Sequence, residues 1–113
     1  MAMEVEKKQL KRVDLLHVSG RVDGSSAPKL ATAIQEAIDA ERFRIVVDLG
    51  EVSYISSAGL RALVSGLKSC KRWNRGDLRL ARLQGPIAEV FDMAGLTPLF
   101  KIYDDPVEAV GSF

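Results

Sequence analysis

Ile45-Val46-Val47 is a run of three β-branched residues with no polar residue among them. A strand with one wet face alternates apolar and polar residues, whereas one covered on both faces does not, and such strands belong to parallel sheets packed with helices. The run therefore predicts a central strand of an α/β sheet. Its flanks agree. Upstream, Ala27, Leu30, Ala31, Ile34, Ala37 and Ile38 recur at helical spacing, with Ser25 or Ser26 as N-cap and Pro28 in the first turn. Downstream, Asp48 to Ser57 reads as a polar loop, and Leu60, Leu63, Val64 and Leu67 then repeat with helical period as far as about Arg72. Val5 to Gln9 and Val13 to Ser19 alternate as two neighbouring strands, parted by the break Leu10-Lys11-Arg12, and Gly20 and Gly24 bracket the loop that follows. After a turn marked by Asn74, Gly76 and Asp77, Leu78 to Leu83 reads as a strand. Gly85-Pro86 opens a third helix with Ile87, Val90, Phe91 and Ala94 on one face and Gly95 at its end. Lys101 to Tyr103 is a short last strand, and Pro106 starts a terminal helix. Strands alternating with helices in this order predict a mixed, mostly parallel five-stranded sheet with about four helices.

A chain of 113 residues has the size of one domain, taken as 1–113. With 16 Lys and Arg against 15 Asp and Glu it carries a formal charge of +1, so no overall field draws it to nucleic acid or to an anionic membrane, and neither direct nucleic-acid binding nor a membrane span is expected. One cysteine, Cys70, excludes an internal disulfide, and with a single histidine the chain cannot build a four-ligand zinc site of Cys and His. No apolar run reaches the roughly 18–20 residues of a membrane helix, and the start MAMEVEKKQL is too polar for a signal-peptide core. A cytoplasmic protein with no cofactor is the expectation.

In open α/β sheets, sites gather in the loops after the carboxyl ends of strands. Two such loops stand out, Gly20 to Ser26 before the first helix and Val52 to Leu60 before the second. In the latter, Ser56 is placed to cap the helix and Ser57 falls in its first turn, among unpaired backbone N–H groups and the positive end of the helix dipole. Paired serines there are ordinary capping chemistry, and equally a place where a phosphate is tolerated. Gly59, without a side chain, would let a partner approach the backbone. Arg61, Ser65, Lys68 and Arg72 form a stripe opposite the apolar face.

Other reactive residues read as structural. Asp48 ends the central run as a receiver-type phosphoacceptor would, but the early strands offer no acidic pair for Mg²⁺. His17 would have to reach Ser57 across the fold to make a serine hydrolase, and there is no Gly-x-Ser-x-Gly elbow. Cys70 reads as a small buried residue, Trp73 as a cover for the helix end, and Phe91 and Met93 as packing first and partner contact second.

Three blocks, GRVDGSSAPKL, VVDLGEVSYISSAGLRAL and FDMAGLTPLFKIYDD, occur in an order and spacing that resemble the STAS domain family, in particular its stand-alone anti-sigma factor antagonists. The resemblance covers nearly the whole chain and implies a bacterial regulator of transcription that is not itself an enzyme. In that family the unphosphorylated protein binds an anti-sigma factor with an ATP-binding serine kinase domain and releases a sigma factor. The kinase phosphorylates a serine at the start of the second helix, and a metal-dependent serine phosphatase restores the binding form. The acceptor matches Ser57, with Ser56 as rival. The partner-binding surface implied comprises Arg21, Asp23 and Ser25 of the first loop, and Ser56, Ala58, Gly59 and Arg61 of the second. Many phosphorylated members have Asp before the acceptor and Ser or Thr after it, where this chain has Ser56 and Ala58. The alternative within the same family is a scaffold or transport-complex subunit that does not act on a sigma factor.

Overall fold

The computed structural model describes residues 2–113. A β-hairpin comes first, β1 (Glu4–Gln9) antiparallel to β2 (Asp14–Val22), followed by α1 (Ala27–Asp39), β3 (Arg44–Ile55) and α2 (Ser57–Lys71). A 3₁₀ turn at Arg72–Asn74 leads into β4 (Asp77–Ala81), then α3 (Gly85–Met93), a second 3₁₀ turn at Thr97–Leu99, β5 (Ile102–Tyr103) and α4 (Pro106–Gly111). The sheet order is β1-β2-β3-β4-β5, and every pairing after the hairpin is parallel. The mixed, mostly parallel five-stranded sheet with four helices expected from the sequence is thus the fold.

Ile45, Val46 and Val47 are fully buried on the central strand. Ile45 and Val47 face a core built with α1, α2 and α3, while Val46 faces a smaller core with Val13, Ala81 and Ala109 of α4. Helices therefore do cover both faces, though unequally. In α1 the buried stripe is Ala27, Leu30, Ile34 and Ala37, whereas Ala31 is exposed, as is Ala94 just beyond α3. Ala94, the C-cap of α3, lines an open groove rather than the core.

The expected polar loop from Asp48 to Ser57 is not a loop. β3 runs on to Ile55, and β2 runs on to Val22, so Gly20 lies within a strand, at φ 89°, rather than in the turn after it. The pairing explains the misreading. His17 pairs with Asp48 but Ser19 with Glu51, and Gly20 pairs with Val52 but Arg21 with Tyr54, so β3 carries an extra residue at each of two places. Each bulge shifts the side-chain alternation, and the buried positions become Leu49, Val52 and Ile55, three apart instead of two.

On the face that α4 leaves partly open, Asp48 is almost fully buried and receives four hydrogen bonds. Arg82 donates from Nε and Nη2 (2.9 and 2.8 Å), the Gly50 N–H donates at 3.0 Å, and His17 Nδ1 lies 2.8 Å away. A Cβ on Gly50 would lie 2.5 Å from the Arg82 guanidinium, so glycine is what lets that arginine cross to Asp48. Burial alone would raise the Asp48 pKa, but the bonds from Arg82, Gly50 and His17 outweigh it and hold the carboxyl below its ordinary value. Burial alone would lower the His17 pKa, but its bonds to Asp48 and Glu51 (3.2 Å) outweigh it and raise it.

The signs give opposite pH limits. Asp48 contributes stability above its ordinary carboxyl pKa of about 3.8, and this is lost as pH falls through its lowered native value. His17 contributes fully below 6.5, and this is lost as pH rises through its raised native value. Chemical denaturation at a series of pH values is expected to show native stability declining from about pH 6.5 upward in the wild type, with His17→Gln flattening that limb; an unchanged limb in the variant would refute the assignment.

Candidate functional site

The carboxyl edge of the sheet brings the two loops together. The Ser56 N–H donates to the Val22 carbonyl at 2.8 Å, so the residue before α2 is fastened to the last residue of β2. Ser56 is the N-cap of α2, and its Oγ accepts from the Gly59 N–H at 3.3 Å, as the sequence predicts. Ser57 is the first residue of the helix and is exposed, and its hydroxyl has no hydrogen-bond partner among the described residues. The two serines therefore differ in kind: one oxygen is engaged by the backbone, and the other is free.

Gly59 is buried. A Cβ there would lie 2.8 Å from both Val22 Cγ1 and Ile55 Cγ1, so the close approach this glycine permits is internal, between α2 and the ends of β2 and β3. This corrects the expectation that it bares the backbone to a partner. Ala58 is half-buried, packed against the core.

In the first loop, Asp23 folds its carboxylate back on the chain. Oδ1 accepts from the Ser25 hydroxyl (2.8 Å), the Ser25 N–H (3.0 Å) and the Ser26 N–H (3.1 Å). These bonds, that from the Ser25 hydroxyl foremost, hold the Asp23 carboxyl below its ordinary pKa. Ser26 occupies the N-cap position of α1 without a side-chain bond into the helix; its hydroxyl donates instead to the Arg21 carbonyl at 2.9 Å and accepts from the Asp23 N–H at 2.9 Å. Ser25 and Arg21 are exposed, and the Arg21 guanidinium lies 4.2 Å over the ring of Tyr54, itself 41% exposed near the end of β3. Tyr54 was hidden from sequence reasoning because its segment read as a loop.

Beside Ser57 an open groove of about 680 Å³ runs along α2, with Leu60, Val64, Ala94 and Leu96 as its apolar surface and Arg61, Ser65 and Lys68 along it. Arg61 makes no ion pair among the described residues. The stripe of Arg61, Ser65 and Lys68 thus borders a groove rather than plain solvent, while Arg72 lies apart at the far end of α2. The opposite wall, Ala94 and Leu96, follows α3, and no local pattern in the sequence links those residues to α2.

The remaining candidates are not part of this edge. His17 is engaged by Asp48 and Glu51 and is not brought to Ser57. Cys70 is fully buried, and burial pushes its thiol up to about 12. Phe91 is fully buried, whereas Met93 is 88% exposed. Trp73, expected to cover the helix end, is 82% exposed: it and Asn74 hold left-handed backbone angles, φ 61° and 56°, which turn the indole outward.

An α/β protein with this sheet order presents a surface at the carboxyl edge of its strands, centred on a helix start and an apolar groove. The chain belongs to the STAS domain family, whose model matches residues 4–109. It is 31% identical over 96 residues to BtrV of Bordetella bronchiseptica, which carries the name of an anti-sigma factor antagonist, covering 85% of this chain and 82% of that one. Its fold is similar to that of an anti-sigma factor antagonist from Mycobacterium paratuberculosis, with a TM-score of 0.88 at 22% identity over 98% of this chain and 93% of the other. It is also similar to the Bacillus cell fate determinant SpoIIAA in its phosphorylated form, with a TM-score of 0.76 at 16% identity over 96% and 98% of the two chains. Among the described residues, no helix is long and apolar enough to cross a membrane.

Proposed function

We propose that this chain is a cytoplasmic anti-sigma factor antagonist, acting as one domain over 1–113 and switched by phosphorylation of Ser57. The unphosphorylated form binds an anti-sigma factor that carries an ATP-binding serine kinase domain; the kinase modifies Ser57, and a metal-dependent serine phosphatase reverses the step. The chain is substrate and ligand in this cycle and not a catalyst. The observation that carries the reading is the contrast between the serines: the Ser57 hydroxyl is exposed and unbonded at the first position of a helix, while the Ser56 oxygen is held by the Gly59 N–H. A kinase needs the former, and a helix start accommodates the charge that results. Family membership and the name of the Bordetella relative support the choice of partner.

The docking surface is assigned to the start of α2, Arg21 and Ser25 of the first loop, and the groove past Arg61. Asp23, at the surface of the first loop, shapes that loop, and Gly59 seats the helix from beneath.

The test is phosphopeptide mass spectrometry on the protein incubated with ATP and a lysate of its own cells, phosphatases inhibited. Trypsin releases Ile45–Arg61, which holds both serines. Phosphate on Ser57 is the expected result. A peptide left unmodified, while a control family member is labelled by its own kinase in parallel, would overturn the switch and favour the scaffold or transport-complex reading.

A further inference from the structure

The chain is nearly neutral overall, yet its cations are not evenly spread. At the amino ends of the parallel strands two shallow depressions adjoin, sharing Arg44 and Phe113. Lys11, Arg12, Arg44, Lys71, Arg75 and Arg79 line them, against the side chain of Asp77, which Arg79 Nε already holds at 3.0 Å, and the terminal carboxylate of Phe113. Among the described residues, none of the other five cations has a carboxylate within 4.0 Å. Six of the 16 Lys and Arg thus converge at one end of the molecule, five of them without a carboxylate at ion-pair distance among the described residues.

Two of these guanidiniums are held in place. Arg75 lies 3.8 Å over the Phe43 ring and donates to the carbonyls of Arg72 (3.0 Å) and Ser69 (2.7 Å); Arg79 lies 3.9 Å over the Phe113 ring and donates to Ser112 Oγ (2.7 Å). A stacked, tethered guanidinium loses little freedom when it meets a carboxylate. Trp73, the chain's only tryptophan, precedes the lining residues Asn74 and Arg75 in the chain and is 82% exposed, it and Asn74 holding left-handed backbone angles.

We propose that this end of the molecule is a second docking surface, which takes an acidic segment of a partner protein through guanidinium–carboxylate pairs around the Trp73 indole. Tryptophan and arginine are the residues that most often carry the energy of protein interfaces. Nucleic acid fits less well: Phe43 and Phe113 each have a guanidinium over the ring, and one indole is left to stack bases. The surface lies at the opposite end of α2 from Ser57, roughly 21 Å away along a helix of this length. Both ends are therefore open to occupation at once, and a phosphate on Ser57 leaves this one untouched.

Trp73, the sole tryptophan and adjacent in the chain to Asn74 and Arg75 of the site, is the emission probe. The full chain is titrated with a synthetic twelve-residue peptide of Glu and Asp around one central Leu, following indole emission at two salt concentrations. A saturable shift in emission is expected, with affinity falling about tenfold on raising salt from 0.05 to 0.3 M and in the double variant Arg12→Glu/Arg75→Glu, circular dichroism confirming its fold. If that variant does not fold, Arg12→Ser/Arg75→Ser replaces it. No response of Trp73 to the peptide, or equal affinity in the variant, would overturn the proposal. So would tighter binding of a twelve-nucleotide oligothymidylate or of phosphatidylserine vesicles, which would assign the surface to nucleic acid or to membrane instead.

Discussion

Ser57→Asp is expected to weaken binding to the anti-sigma factor kinase by at least about tenfold, while Ser57→Ala binds as tightly as the unmodified protein and stays bound in the presence of ATP. A tenfold loss needs only about 1.4 kcal/mol. Docking over an exposed first-turn residue and the apolar groove beside it removes water from both. A carboxylate in that contact loses its hydration and draws on Arg61, one turn on and part of the docking surface itself, and the roughly −1.5 to −2 charge of a phosphate magnifies the effect. The helix itself gains from the same charge, by about 0.3–1 kcal/mol at a first-turn position. The variant should therefore melt no lower than the wild type, which separates lost binding from lost folding. Calorimetric titration of both variants with the kinase decides the matter, and equal affinities would refute the switch.

Phe91→Ala is expected to remove about 3–5 kcal/mol of stability, a large share of the roughly 5–15 kcal/mol of a domain this size. Phe91 is fully buried and meets Phe100 edge to face, ring centroids 5.9 Å apart at 77°. It anchors α3 at the turn before Ala94 and Leu96, the far wall of the groove. Urea unfolding should show the midpoint fall with little change in slope, and binding at the groove should weaken even where the variant is still folded. A loss below about 1 kcal/mol would mean that the site collapses around the missing ring.

What was legible in the sequence is what is local. The cap at Ser56, the helix starting at Ser57 and the glycine ending α3 each follow from a few consecutive residues. Pairing across the sheet is where legibility stops. Two extra residues in β3 shift the alternation so that Leu49, Val52 and Ile55 point the same way, and a test for period two discards a strand of twelve residues as a loop. The same limit hid the contacts of Asp48, whose partners His17 and Arg82 lie 31 and 34 positions away. The groove has one wall on α2 and the other after α3, so neither helix alone reveals it. Trp73 was misplaced for a different reason: nothing in its type predicts the left-handed backbone at which its indole stands exposed.

The bond from the Ser56 N–H to the Val22 carbonyl bears on the tempo of a signal passing through this protein. With Gly59 pressed against Val22 and Ile55 just behind it, the start of α2 has no slack to unwind or swing. On the proposed switch, a phosphate there would change the charge that a partner meets with the backbone held where it was, so the effect would need no slow rearrangement. Under that switch the response would be as fast as a kinase or phosphatase turns over and a bound partner leaves, and its memory would last only as long as one ester bond.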